Sequence, residues 1–266
     1  MTTQMIEAAI DGCPLYVATE GPASAPALML SNSLGTDLHL WDAQAAQWAK
    51  SFHVIRYDRR GHGRSSLGNA PHTIETYGLD ALSIMDALGL DAVHWCGLSM
   101  GGMVGQWLAA TRPNRIDKLV LSNTSAHFAD KQRWNDRIAA IRDKGLRPLA
   151  DSVMNLWFTP GFRARAPETV AAMVEMFNAT PVDGYLAACE AIRDMDHRNL
   201  LPKITAPTLI IAGQHDPSTP LDMAEVMRAG IRGAALMVLD AAHIANVERP
   251  DLYTETVLTF LQRPAR

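Results

Sequence analysis

Three residues far apart in the chain have the types that nucleophilic acyl transfer needs. Ser99 stands in Cys96-Gly97-Leu98-Ser99-Met100-Gly101-Gly102, a Gly-x-Ser-x-Gly arrangement. A serine hydroxyl is a weak nucleophile until an adjacent base takes its proton, and that base needs a third group to hold it. Downstream come Asp216 and then His243, the order Ser, acid, His that accompanies a serine on a strand-to-helix elbow. Asp216 is expected to fix the imidazole tautomer, and His243 to take the serine proton and return one to the leaving group. The plainer reading of the glycines, a turn before a packed helix, leaves Asp216 and His243 unaccounted for.

The chain has nine histidines, so His243 must be chosen over the rest. His215 adjoins Asp216 but is expected to point elsewhere, His62 sits in a glycine-rich loop that it would organise, and His94 lies inside a strand. Only His243 combines the required chain order with a loop after the last strand.

An acyl-transfer site also needs two N–H donors for the developing oxyanion. Met100, directly after the serine, supplies one backbone N–H at the start of a helix, where unpaired N–H groups and the dipole favour negative charge. The loop Ser31-Asn32-Ser33-Leu34-Gly35-Thr36-Asp37 follows the third strand, and Leu34 occupies the donor position by its offset from that strand. The same loop also reads simply as a polar turn.

The elements that must position these groups are legible as alternation. Met5–Ile10 and Leu15–Thr19 read as a hairpin across Asp11-Gly12. Strand patterns follow at Ala27–Ser31, His53–Tyr57, Ala92–Gly97, Lys118–Ser122, Pro207–Gly213 and Ala235–Leu239. Helix patterns cover Leu40–Lys50, Thr73–Leu88, Ser99–Thr111, Leu221–Gly230 and Pro250–Leu261. Strands alternating with helices predict an α/β fold with a mostly parallel eight-stranded sheet covered on both faces. Residues 126–195 break the alternation and carry Trp134, Ile138, Ile141, Leu149, Met154, Trp157, Met173, Met176 and Phe177 at helical spacings. This stretch is expected to be an inserted helical cap, with residues 1–125 and 196–266 as the core.

Composition narrows the functional classes. The 266 residues are 48% apolar and 20% charged, with a formal net charge of −4. These values exclude a disordered chain or a disulfide scaffold, and the charge lacks the basic footprint of a nucleic-acid binder. No apolar run approaches the roughly 20 residues of a membrane helix, and residues 1–12 do not read as a signal peptide. Cys13, Cys96 and Cys189 form neither a disulfide framework nor a zinc pattern. A cytoplasmic protein without metal or organic cofactor is expected. The sequence leaves the oligomeric state open.

With these residues in hand, the chain resembles the α/β-hydrolase superfamily along its whole length, and more closely the 3-oxoadipate enol-lactonases of bacterial aromatic catabolism. The resemblance rests on Leu30-Ser31-Asn32-Ser33-Leu34-Gly35-Thr36-Asp37 with Trp41-Asp42, on Tyr57-Asp58-Arg59-Arg60-Gly61-His62-Gly63-Arg64-Ser65, and on Cys96 through Leu108. Ala242-His243-Ile244-Ala245-Asn246-Val247-Glu248 also fits. The second stretch is general to the superfamily, whereas Asn32-Ser33, where many relatives carry His-Gly, is similar to the lactonase group. The resemblance implies Ser99, Asp216 and His243 as the triad, a helical cap over them, and a small anionic lactone as substrate.

That charge directs attention to the expected cap. From His127 to Arg165 there are eight Lys and Arg against four acids, a local excess that would steer an anion. Arg133 and Trp134 are the expected substrate contacts, a bidentate partner for a carboxylate and an apolar wall. Alternatively the excess is a solvated helix face and Trp134 an anchor for the cap. Rival functions on the same scaffold are a broader carboxylesterase, a carbon–carbon bond hydrolase, and a non-enzymatic ligand receptor. Serine at position 99 disfavours a dehalogenase or epoxide hydrolase, which need a carboxylate nucleophile.

Overall fold

Strands whose residues are buried on both faces need neighbours on both edges and helices above and below. In a computed structural model of the chain, which describes residues 1–263, three strands are buried at every position: β3 (Ala27–Ser31), β5 (Val93–Leu98) and β7 (Thr208–Gly213). They sit inside an eight-stranded sheet of order β1-β2-β4-β3-β5-β6-β7-β8. The remaining strands are β1 (Thr2–Glu7), β2 (Pro14–Glu20), β4 (His53–Tyr57), β6 (Ile116–Ser122) and β8 (Ala235–Leu239). Pairing is antiparallel for β1 with β2 and for β2 with β4, and parallel from β4 to β8. The expected mostly parallel eight-stranded sheet is therefore the observed one.

Parallel neighbours require crossovers, and helices supply them. They include α1 (Asp42–Trp48), α2 (Ile74–Ala87), α3 (Met100–Thr111) and, between β7 and β8, α9 (Leu221–Gly230), while α10 (Ala245–Glu248) and α11 (Pro250–Gln262) follow β8. α2 packs on α3, whereas α1 packs on α11. Trp41, Trp48 and Tyr253, all buried, cluster with ring centroids 6.2–6.5 Å apart at the α1–α11 contact.

The connection from β6 to β7 holds five helices: α4 (Lys131–Lys144), α5 (Ala150–Trp157), α6 (Pro160–Arg165), α7 (Pro167–Asn178) and α8 (Val182–Asp194). Its two ends meet in an isolated β-bridge between His127 and Asp196. α4 lies against α8, with Ile138 and Ile141 buried, and Met154, Trp157, Met173 and Phe177 are buried as their spacing predicts. No helix among the described residues is long and apolar enough to cross a membrane.

β1 and the first helix differ most from expectation. β1 ends at Glu7 rather than Ile10, because its register with β2 runs out at the Glu7–Pro14 pair. The following loop closes on itself through Ala8 N–H to the Cys13 carbonyl at 2.9 Å. The stretch expected as one helix from Leu40 splits into a 3₁₀ turn, Leu38–Trp41, and α1. Asp37 caps that turn by accepting from the His39 N–H at 2.8 Å, which starts the helical path two residues early.

Candidate active site

Ser99 occupies the bend between β5 and α3 with φ 55° and ψ −115°, a left-handed conformation that costs a non-glycine residue about 1–3 kcal/mol. The flanking glycines make the bend possible. A Cβ at Gly97 would collide with the Gly101 backbone, and one at Gly101 with the Ser31 backbone. The bend is pinned by Ser99 N–H to the Ser122 carbonyl at 2.8 Å, by Thr124 Oγ1 to the Ser99 carbonyl at 2.6 Å, and by Trp95 Nε1 to the Gly101 carbonyl at 3.0 Å.

The structure brings the three distant residues together. His243 Nε2 lies 2.9 Å from Ser99 Oγ, and His243 Nδ1 lies 2.8 Å from Asp216 Oδ2. All three are buried, with Ser99 the most exposed at 8%. His243 sits in the loop after β8, clamped on either side. The Ala242 N–H donates to Glu248 Oε2 at 2.9 Å, and the Ile244 N–H donates to the Trp157 carbonyl of α5 at 3.0 Å. Glu248 also accepts from the Thr159 N–H and hydroxyl, so it joins the β6–β7 helices to the histidine loop.

Asp216 follows β7 in a tight turn that is itself built on its carboxylate. Oδ1 accepts from the Ser218 and Thr219 N–H groups at 2.8 and 3.1 Å. Oδ2 accepts from Thr219 Oγ1 at 2.6 Å and from Asn123 Nδ2 at 3.0 Å, besides facing His243. Burial pushes this carboxyl upward. The adjacent His243 charge and the hydrogen bonds from His243, Thr219 and Asn123 outweigh that push and hold it below the usual carboxylate range.

Leu34 and Ser99 line one cavity, and Met100 opens α3 immediately beyond the serine. As the first residue of the helix, Met100 has an N–H with no intrahelical acceptor. Ser33, Met103 and His243 face the same cavity.

Arg133 and Trp134 both reach this cavity from α4. Arg133 is exposed and Trp134 half-buried. Trp134 stacks edge-on against Phe128 at 5.4 Å, and its Nε1 has no hydrogen-bond partner among the described residues. Arg137, one turn further on, was not among the expected contacts, yet it lines the cavity too. Its guanidinium lies 5.9 Å from the Trp134 ring and 5.5 Å from that of buried Tyr185. Neither Arg133 nor Arg137 forms an ion pair among the described residues. Lys131 and Arg142, by contrast, pair with Asp194 and Glu190 of α8, so part of the basic excess of α4 is cancelled by residues beyond the stretch in which it was counted.

His215 and His62 lie outside this contact chain. His215 pairs with exposed Asp240 at 3.0 Å, and His62 Nε2 accepts the N–H of Gly35, in the loop after β3 rather than in its own glycine-rich loop, at 3.2 Å. Asn123 and Thr219 were missed. The available signal was the polar run Ser122-Asn123-Thr124-Ser125 at the C-terminal end of a strand, the edge on which sites form in open α/β sheets.

Such an elbow, with histidine and acid delivered from the loops after the last two strands, defines a hydrolase of the α/β class. Residues 26–250 match the α/β hydrolase fold family, and the chain belongs to that family. Among its relatives, 3-oxoadipate enol-lactonase 2 of Acinetobacter baylyi is 39% identical over 94% of this chain and 93% of that protein. The crystal structure of the enol-lactonase from Burkholderia xenovorans LB400 superposes with a TM-score of 0.92 at 40% identity, covering 94% of this chain and 97% of that one. A Variovorax paradoxus protein named as a carbamate hydrolase is 30% identical, over 94% of this chain and 97% of its own.

Proposed function

We propose that this hydrolase opens the lactone ring of 3-oxoadipate enol-lactone through a serine acyl-enzyme. Ser99 Oγ attacks the lactone carbonyl as His243 Nε2 takes its proton, and Asp216 stabilises the resulting imidazolium. The N–H groups of Leu34 and Met100 receive the oxyanion. Collapse of the tetrahedral intermediate breaks the ring C–O bond. The opened molecule is then esterified to Ser99 at one end and at the other carries an enolate oxygen, which takes the proton from His243 and becomes an enol. Tautomerisation of that enol to a ketone removes the leaving group and opposes reclosure. Water, deprotonated by His243, attacks the ester and releases 3-oxoadipate.

The observation that carries this reading is the continuous Ser99–His243–Asp216 contact chain, at 2.9 and 2.8 Å, beside a cavity lined by Ser99, His243 and two arginines that form no ion pair among the described residues. The helices between β6 and β7 act as the cap in this reading, the remainder of the chain as the core. Arg137 is the substrate carboxylate's partner inside the cavity, its planar fork suited to bidentate contact. Arg133 stands at the mouth and Trp134 forms the apolar wall. The similarity to a protein named for carbamate hydrolysis supports a second reading, in which the same triad cleaves a carbamate.

The deciding experiment compares kcat/KM for the enol-lactone, a small carbamate and neutral aryl esters on one preparation. Preference for the lactone by about 100-fold or more, which corresponds to roughly 3 kcal/mol of differential transition-state binding, supports the proposal. Equal or greater activity on the carbamate or the aryl esters overturns it.

A further inference from the structure

The loop after β4 carries two adjacent buried arginines whose charges are handled in opposite ways. Arg60 is neutralised by Asp80 at 2.6 Å and Asp11 at 3.0 Å. Arg59 is 2% exposed and forms no ion pair among the described residues. Its guanidinium donates instead to two carbonyls of the loop after β3, from Nη2 to Asn32 and from Nη1 to Ser33 at 3.4 Å, and lies 5.6 Å from the Tyr77 ring. A buried cation without a carboxylate is costly to keep, and two carbonyls and a ring recover only part of that cost.

We propose that Arg59 is a positioning residue for the oxyanion donor, strengthening the Leu34 N–H through the Ser33–Leu34 peptide. The Ser33 carbonyl and the Leu34 N–H are opposite ends of one resonance-coupled amide. A cation at the oxygen draws electron density from the nitrogen end and makes the N–H a better donor, an effect that is strong where water is excluded. Thr36 Oγ1 donates to the same Ser33 carbonyl at 3.0 Å and adds to this polarisation. The loop is also held on both sides. The Asn32 carbonyl accepts the Gly101 N–H of the elbow at 3.1 Å, and the Gly35 N–H is held by His62. The guanidinium thereby places a fixed positive charge behind the amide toward which negative charge develops during reaction. The glycine-rich stretch that matched the superfamily at large acquires a part in the chemistry.

The proposal rests on Ser99 as nucleophile and Leu34 as oxyanion donor, and its test separates the two. Arg59→Met, Arg59→Lys and Thr36→Val are assayed on a neutral aryl ester, alongside affinity for an aryl trifluoromethyl ketone, which forms a tetrahedral oxyanion adduct with an active serine. Arg59→Met is expected to lose about 10- to 100-fold in kcat and in ketone affinity, somewhat less than removal of a whole oxyanion donor, with KM changed less than about twofold. Arg59→Lys, which keeps the charge, should recover most of both losses.

A folded Arg59→Met with kcat and ketone affinity unchanged overturns the proposal. So does one in which KM worsens as much as kcat and Arg59→Lys gives no rescue, since that is the signature of a disordered loop. If Arg59→Met does not fold, Thr36→Val decides on the same readouts: a severalfold fall in kcat and ketone affinity at constant KM supports the proposal, and no change overturns it. Failure of the serine mechanism itself would appear elsewhere, as turnover retained by Ser99→Ala.

Discussion

The side-chain amide of Asn123 donates to Asp216 Oδ2 at 3.0 Å, the same oxygen that faces His243 Nδ1 at 2.8 Å. Asn123 also donates to the Ala242 carbonyl, next to the histidine, at 3.1 Å. One amide at the end of β6 therefore ties together Asp216 from the loop after β7 and the His243 segment from the loop after β8. Removing it leaves Asp216 with a less well-filled shell and the histidine loop with one anchor fewer. Asn123→Ala should lower kcat by about 10- to 100-fold, the equivalent of a lost hydrogen bond to a charged group, with little change in KM. Steady-state kinetics on an aryl ester checks this. A fall in KM affinity with kcat preserved would place Asn123 in substrate binding instead.

Ser99→Ala removes the oxygen proposed to attack the substrate and leaves the buried elbow otherwise intact. The expected loss in kcat is about 10⁴-fold or more, with thermal unfolding shifted by no more than a few degrees. The alanine must still adopt the φ of 55° observed at this position, so no strain is relieved. Turnover within about tenfold of the parent would remove Ser99 from the nucleophile's role.

Arg137 and Arg133 differ in depth, the first half-buried between Trp134 and Tyr185 and the second exposed. Surface charges contribute little to binding because water screens them, whereas a desolvated charge contributes more. Arg137→Met should therefore reduce kcat/KM for the anionic lactone by about 10- to 100-fold and leave neutral aryl esters within about threefold. Arg133→Met should cost the lactone less than about fivefold. A reversed ranking, or an equal loss on neutral esters, would show that Arg137 only braces Trp134 and Tyr185.

His62 gives a pH prediction. Burial, with the neighbouring Arg59 charge adding to it, pushes its imidazolium from the ordinary 6.5 down to about 3. Between those values the unfolded chain binds a proton that the folded chain refuses. The stability gained by keeping this ring neutral is thus present above about pH 6.5 and lost as pH falls toward 3. His62→Gln should flatten the rise of unfolding free energy between pH 4 and 6, measured by urea denaturation at fixed ionic strength. Parallel profiles for the two proteins would mean that His62 titrates as an exposed histidine does.

The elbow was readable because its causes are local. Gly97, Ser99 and Gly101 lie within five residues, and the collisions that exclude larger side chains there involve the backbones of β5, α3 and the adjacent β3. The alternation of strand and helix patterns was readable for a similar reason, since burial on both faces writes apolar runs directly into β3, β5 and β7. Chain order, together with the rule that site loops follow strand ends, then singled out Asp216 and His243. The end of β1 and the split at Leu38–Trp41 were less legible, because register and capping by Asp37 moved boundaries that hydrophobic pattern alone places only loosely.

What tertiary structure alone decided is which side chains face the cavity and which charges remain unspent. Arg133 and Arg137 are indistinguishable as letters, and the rotation of α4 against α8 sets one at the mouth and the other beside Tyr185. The local basic excess was a count along the chain, whereas the cancellation of Lys131 and Arg142 by Asp194 and Glu190 pairs residues distant in sequence and depends on two helices lying side by side. Arg59 and Arg60 are neighbours in the same motif, yet only the approach of α2 and of the β1–β2 turn gives Arg60 the carboxylates of Asp80 and Asp11, while Arg59 has none among the described residues. Local sterics are encoded within a few residues. Pairing and orientation emerge only when distant segments are brought into contact.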